Sequence, residues 1–121
     1  MVTKGNDASP TSDPDELLQA SLDRVKIASS DYIDTPNEQT EAGFTAATAN
    51  NTKDLRNAGL KRQADDMSKV NKDFSNAKTS SKKQWIVENT AKSLYGLTVK
   101  KLATWFVVGA AGTVVPMVEE D

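Results

Sequence analysis

The sequence predicts an all-α protein of elongated helices, with a coiled-coil-like seam in its middle and an apolar C-terminal helix that reads as transmembrane. Three observations carry this reading. Apolar residues recur three or four apart over residues 18–32 and again over 67–77, the signature of one helical face. Residues 102–118 contain no charged side chain. Only 37% of the 121 residues are hydrophobic, and much of that share lies in the last quarter. The first hundred residues therefore offer thin stripes, which suit long helices or helices completed by a partner better than a closed core.

Residues 1–13 are rich in Gly, Pro, Ser, Asn and Asp and read as a disordered arm. They contain no apolar stretch of the kind a signal peptide needs, so membrane entry is expected from the other end. A helical region follows over 14–101. Its first helix should start at Asp13, an N-cap, with Pro14 at the first helical position and Asp15 and Glu16 facing the positive helix end. Leu18, Leu22, Val25, Ala28 and Tyr32 form its packing face, with Leu17 beside them. It should stop near Asp34, because the residue before Pro36 is biased away from the helical region. Residues 37–52 predict a weaker helix with frayed portions, since Gly43, Asn50 and Asn51 oppose the Ala and Glu around them.

Residues 53–83 read as one polar helix with a partner-helix seam formed by Leu55, Leu60, Gln63, Met67, Val70, Phe74 and Ala77. The spacing of the last four is that of a heptad repeat. A stripe this thin calls for a second helix to cover it. Residues 84–101 are more apolar, with Trp85, Ile86, Val87, Leu94, Tyr95, Leu97 and Val99 among Lys92, Lys100 and Lys101. Aromatic residues beside lysines suit a membrane–water interface. An amphipathic helix packed on the rest of the protein fits the same pattern.

Residues 102–121 form the expected anchor with an acidic end. Leu102, Trp105, Phe106, Val107, Val108, Gly109, Gly112, Val114 and Val115 would face lipid or helix neighbours. A spanning helix usually needs about 20 apolar residues, and this run sits at the lower limit. Lys100 and Lys101 precede it and Glu119, Glu120 and Asp121 follow it. Lysine bias then puts the N-terminal part in the cytoplasm of a single-pass protein. Gly109 and Thr113 have the spacing of close helix contacts in lipid. The β-branched valines and Pro116 also allow a buried hairpin around the Gly-Ala-Ala-Gly turn.

Charge is distributed in blocks: residues 1–52 carry a net −6, residues 53–101 a net +7, and residues 102–121 a net −3. Lys82, Lys83, Lys92, Lys100 and Lys101 are expected to meet an anionic membrane surface. There is no cysteine and no histidine, which removes disulfides, Cys/His zinc sites and histidine-based catalytic triads. No glycine-rich phosphate loop is visible. Asp65 and Asp66 are neighbours on a helix and do not converge on one point. No catalytic, metal-ligating or cofactor-binding set is assigned, and the basic middle block lacks base-contacting motifs, so no nucleic acid is expected.

The stretch from Leu60 to Val70, with Gln63 and Met67 inside it, resembles the centre of a glutamine-type SNARE motif. The resemblance covers about 25 residues. It implies that Gln63 occupies a central polar layer, that Met67, Val70, Phe74 and Ala77 fill the next layers, and that four such helices zip into a parallel bundle joining two membranes. The sequence thus points to a non-enzymatic, membrane-anchored protein that binds helical partners or itself, with membrane tethering or fusion as the expected process. A toxin- or holin-like permeabilising protein and a structural subunit of a virion or large assembly are the alternatives.

Overall fold

The computed structural model describes residues 14–104, with side chains from 15 to 102. The arm at 1–13, the Asp13 cap and the apolar run from Trp105 onward lie outside the described residues. Four helices follow in order: α1 (Pro14–Asp34), α2 (Glu38–Asn57), α3 (Lys61–Asn76) and α4 (Ser80–Leu94). A 3₁₀ turn over Val99–Thr104 closes the described chain. Among the described residues there is no strand.

Local chemistry sets each boundary. α1 begins with Asp15 and Glu16 in its first turn and ends just ahead of Pro36, with the Thr35 amide donating to the Asp31 carbonyl at 2.9 Å. α2 is capped by Asn37, whose side chain accepts from the Thr40 amide at 2.9 Å while the Thr40 hydroxyl accepts from the Asn37 amide at 2.9 Å. This reciprocal capping box satisfies two amides that the helix cannot. The helix is continuous to Asn57, with no frayed portion, because Phe44, Ala47, Thr48, Asn51 and Leu55 are all buried along one side.

The expected single helix over 53–83 is broken twice. At the first break the Leu60 amide donates to the Leu55 carbonyl and the Gly59 amide to the Arg56 carbonyl, at 2.9 and 3.0 Å. Gly59 sits at φ 82°. This is a Schellman ending, and glycine is the residue that enters the left-handed region without a Cβ penalty. At the second break Ala77 leaves the helix in an extended conformation and the Thr79 hydroxyl accepts from the Lys82 amide at 3.1 Å, capping α4.

These turns fold the chain back on itself, so the expected elongated arrangement gives way to an up-down-up-down bundle. Asn51 late in α2 meets Ser21 early in α1, and Asn71 late in α3 meets Thr45 in α2. Lys83, early in α4, lies over the Phe74 ring at the end of α3. α1 packs on α2 and α4, and α3 packs on the same two helices. The common core holds Leu22, Val25, Tyr32, Phe44, Leu55, Met67, Val70, Phe74, Val87 and Leu94. Phe74 is its centre, edge-on to Tyr32 at 5.5 Å and tilted against Phe44 at 4.7 Å.

A core forms despite the low apolar fraction because small polar residues complete it. Ser21, Ser29, Thr48, Asn51, Gln63, Thr90 and Ser93 are all buried. Ser29, Thr48 and Thr90 return their hydroxyl protons to carbonyls four residues earlier, at 2.8, 2.9 and 2.8 Å. Their polarity is thereby satisfied inside one helix, and the methyl and methylene groups pack between helices.

Candidate functional site

The distinctive region is the end of the bundle where α1 starts, α2 ends, α3 starts and the 3₁₀ turn follows α4. Tyr95 leaves α4 in an extended conformation, and Gly96 at φ 71° turns the backbone. Three hydrogen bonds then fasten the segment after α4. The Lys26 ammonium donates to the Leu97 carbonyl at 2.8 Å, the Val99 amide donates to the Gln19 side chain at 3.0 Å, and the Gln63 side-chain amide donates to the Leu102 carbonyl at 2.7 Å. Leu97 and Leu102 are buried at 1% exposure each. The 3₁₀ turn is therefore part of the folded body, held by apolar contact and by polar groups from α1 and α3.

Leu102 was expected to open the membrane anchor, and instead it is a core residue. Thr104 still belongs to the 3₁₀ turn. The uncharged stretch beyond it, residues 105–118, has 14 residues and would extend about 21 Å as an α-helix, short of a hydrocarbon layer of about 30 Å. Among the described residues no helix is long and apolar enough to cross a membrane. The other anchor residues, Trp105, Phe106, Val107, Val108, Gly109, Gly112, Val114 and Val115, lie outside the described residues.

The five lysines expected at a membrane surface do not share one face. Lys92 is in the last turn of α4, and Lys100 and Lys101 are exposed on the 3₁₀ turn. Lys82 and Lys83 sit at the opposite end of α4, about 15 Å from Lys92 along the helix. Both have structural partners there. Lys82 lies over the Trp85 ring at 5.1 Å. Lys83 lies over Phe74 at 4.7 Å and reaches Glu41 at 3.4 Å.

The partner-helix seam is covered by the chain's own helices. Leu55, Gln63, Met67, Val70 and Phe74 are buried, and Leu60 and Ala77 pack half-buried against the same core. Leu55, Leu60 and Ala77 lie at or beyond the two helix breaks, so the seam is not one continuous heptad face. The bundle is antiparallel and built within one chain, whereas the SNARE resemblance implies parallel helices from several chains.

Three features were not assigned from the sequence. Gln19 and Lys26 look like ordinary solvent-face residues, yet they hold the 3₁₀ turn, and nothing in their spacing signals it. Exposed apolar surface is the third: Leu17 is 46% exposed, Ile27 60% and Tyr95 83%. Among the described residues no three acidic side chains converge as a metal site would require. The chain matches no family model, no curated protein and no solved structure.

Proposed function

We propose that the protein is a non-enzymatic helical interaction module that attaches to a membrane through residues 105–118, which insert into the bilayer without crossing it. The observation that carries the proposal is the fastening of Leu102 by Gln63. It holds the chain as far as Leu102 against the bundle, and beyond Thr104 follows an uncharged run of 14 residues, a length suited to interfacial or re-entrant insertion. Trp105 and Phe106 open that run, and aromatic residues favour the headgroup boundary. Exposed Tyr95 and the lysines at 92, 100 and 101 lead into it. A lysine near an anionic bilayer contributes about 1 kcal/mol. In this arrangement the four-helix bundle stays in water and offers its outer faces, not its buried seam, to partners.

The native chain lacks cysteine, so Glu120→Cys supplies a single thiol beyond the apolar run. The purified chain is bound to sealed anionic vesicles and treated from outside with a membrane-impermeant maleimide. Non-spanning insertion leaves this thiol labelled without detergent. Protection that only detergent relieves means that the segment crosses the bilayer, and overturns the proposal.

A further inference from the structure

A groove of about 370 Å³ runs along the outer side of the α1–α2 pair. Its floor includes Ala28, Gly43 and Ala47, and a Cβ built on Gly43 would meet nothing within 4 Å. Ile27 stands at its edge with 60% of its surface in water. An isoleucine on a helix normally turns inward, and α1 already has a complete inner face in Leu18, Leu22, Val25 and Tyr32. Ile27 is thus surplus to the bundle's own packing.

Arg24 and Asp31 flank Ile27 and Ala28 on the same face. They are seven residues apart, three before Ile27 and three after Ala28. Both are exposed, and among the described residues neither has an ion-pair partner. This order of charge, apolar pair, opposite charge has a geometric consequence. When two copies of α1 pack antiparallel about a twofold axis between Ile27 and Ala28, Arg24 of each copy falls opposite Asp31 of the other. The two isoleucines meet at the axis, beside the open space over Gly43 and Ala47. A parallel pairing would place like charges opposite one another.

We infer that the α1–α2 face docks a second copy of this chain in an antiparallel, twofold-symmetric contact centred on Ile27 and Ala28. The occupant is specified by the charges, because the face is complementary to itself. One consequence follows for the arrangement of the whole chain, and it rests on the membrane reading above. The 3₁₀ turns lie toward the α1 start, so antiparallel pairing places the two turns toward opposite ends of the dimer. Measured at Gln19, which holds Val99, the two turns are about 25 Å apart along the helix direction. Two chains attached to separate bilayers would be joined.

The contact itself is independent of the membrane and is tested on the full chain in detergent micelles. Ile27→Cys should form an intermolecular disulfide under mild oxidation at least tenfold faster than Lys72→Cys on α3. In sedimentation velocity, Arg24→Glu and Asp31→Arg should each weaken dimer formation at least tenfold. An equimolar mixture of these two variants should pair again, since each mixed contact is attractive at both positions. This rescue also shows that both variants are folded. A wild-type chain that remains monomeric at 100 µM overturns the inference (about a tenth of a millimolar being weak for a specific contact). So does a dimer that ignores both charge reversals, or a mixture that stays unpaired. Loss of membrane binding with the dimer intact would remove the attachment proposal and leave this one standing.

Discussion

Gln63 at the start of α3 donates its side-chain amide to the carbonyl of Leu102, 2.7 Å away and 39 residues later. Both residues are buried. The bond joins the first turn of α3 to the 3₁₀ turn that precedes the uncharged run. A buried carbonyl stripped of its donor loses about 1–3 kcal/mol. Gln63→Leu should therefore lower the stability of the full chain by that amount in urea unfolding, and loosen the 3₁₀ turn as read by faster amide exchange at Val99 and Leu102. An unchanged unfolding midpoint would contradict the role given to this bond.

The Phe74 ring is the hub of the core, touched by Tyr32, Phe44 and the Lys83 ammonium. Phe74→Ala is expected to reduce stability by about 3–5 kcal/mol. Lys72→Ala, two residues away and exposed, should change it by less than ~0.5 kcal/mol. The comparison is made by denaturant unfolding of the isolated chain, with no partner present. Similar effects of the two substitutions would mean that α3 is not folded against the chain's own helices.

Asn51 is fully buried; its amide nitrogen donates to the Ser21 hydroxyl at 3.0 Å, and its carbonyl oxygen has no partner among the described residues. A buried pair that is only partly satisfied gains little over an apolar pair of similar shape. The double variant Ser21→Ala with Asn51→Leu should unfold at a midpoint equal to or above that of the parent. Asn51→Asp places a charge at the same point and should cost several kcal/mol. A double variant less stable than Asn51→Asp would show that this polar layer is essential to the packing.

Tyr32 supplies a pH dependence. Burial first, and the negative charge of Glu41 second, raise its hydroxyl above the usual value near 10. Below pH about 10 the hydroxyl is neutral in both the folded and the unfolded chain, and stability is unaffected by it. Above that pH the unfolded chain loses its proton first, so stability falls as pH rises toward and through the raised folded value. Tyr32→Phe should flatten the decline above pH 10 in a series of urea unfolding curves. A decline identical in both chains would place the alkaline transition elsewhere.

Parts of this fold are legible in the sequence for identifiable reasons. α1 was marked by Asp15 and Glu16, by a stripe at helical spacing and by Pro36, each acting locally. The break between α2 and α3 was hidden because Leu55 and Leu60 sit plausibly on one continuous stripe, and a single glycine inside a polar helix does not announce a Schellman turn. The core itself was obscured by residue type. Ser21, Thr48, Asn51 and Thr90 count as surface on any hydropathy reading, and only their hydrogen bonds to neighbouring backbone and side chains let them go inside. Leu102 was assigned to the wrong body because it begins an uncharged run; the tertiary contact with Gln63 has no local signature. At the candidate site, the lysines at 100 and 101 were visible as a flank, and Lys82 meets Trp85 three residues on in the same helix, while the structural duty of Lys83 depends on Phe74, a ring that only the fold brings near.

Residues 105–118 are the proposed membrane attachment, and a chain ended after Thr104 isolates their contribution. Ending it after Lys101 would delete the core residue Leu102 and confuse unfolding with release. The measurement is flotation with anionic liposomes, comparing the full chain with the chain ended after Thr104, alongside circular dichroism of both. The full chain should float. The shortened chain should stay at the bottom of the gradient with undiminished helical signal from α1–α4. If the shortened, folded chain floats as well as the full one, the membrane contact lies on the bundle and residues 105–118 are not the attachment.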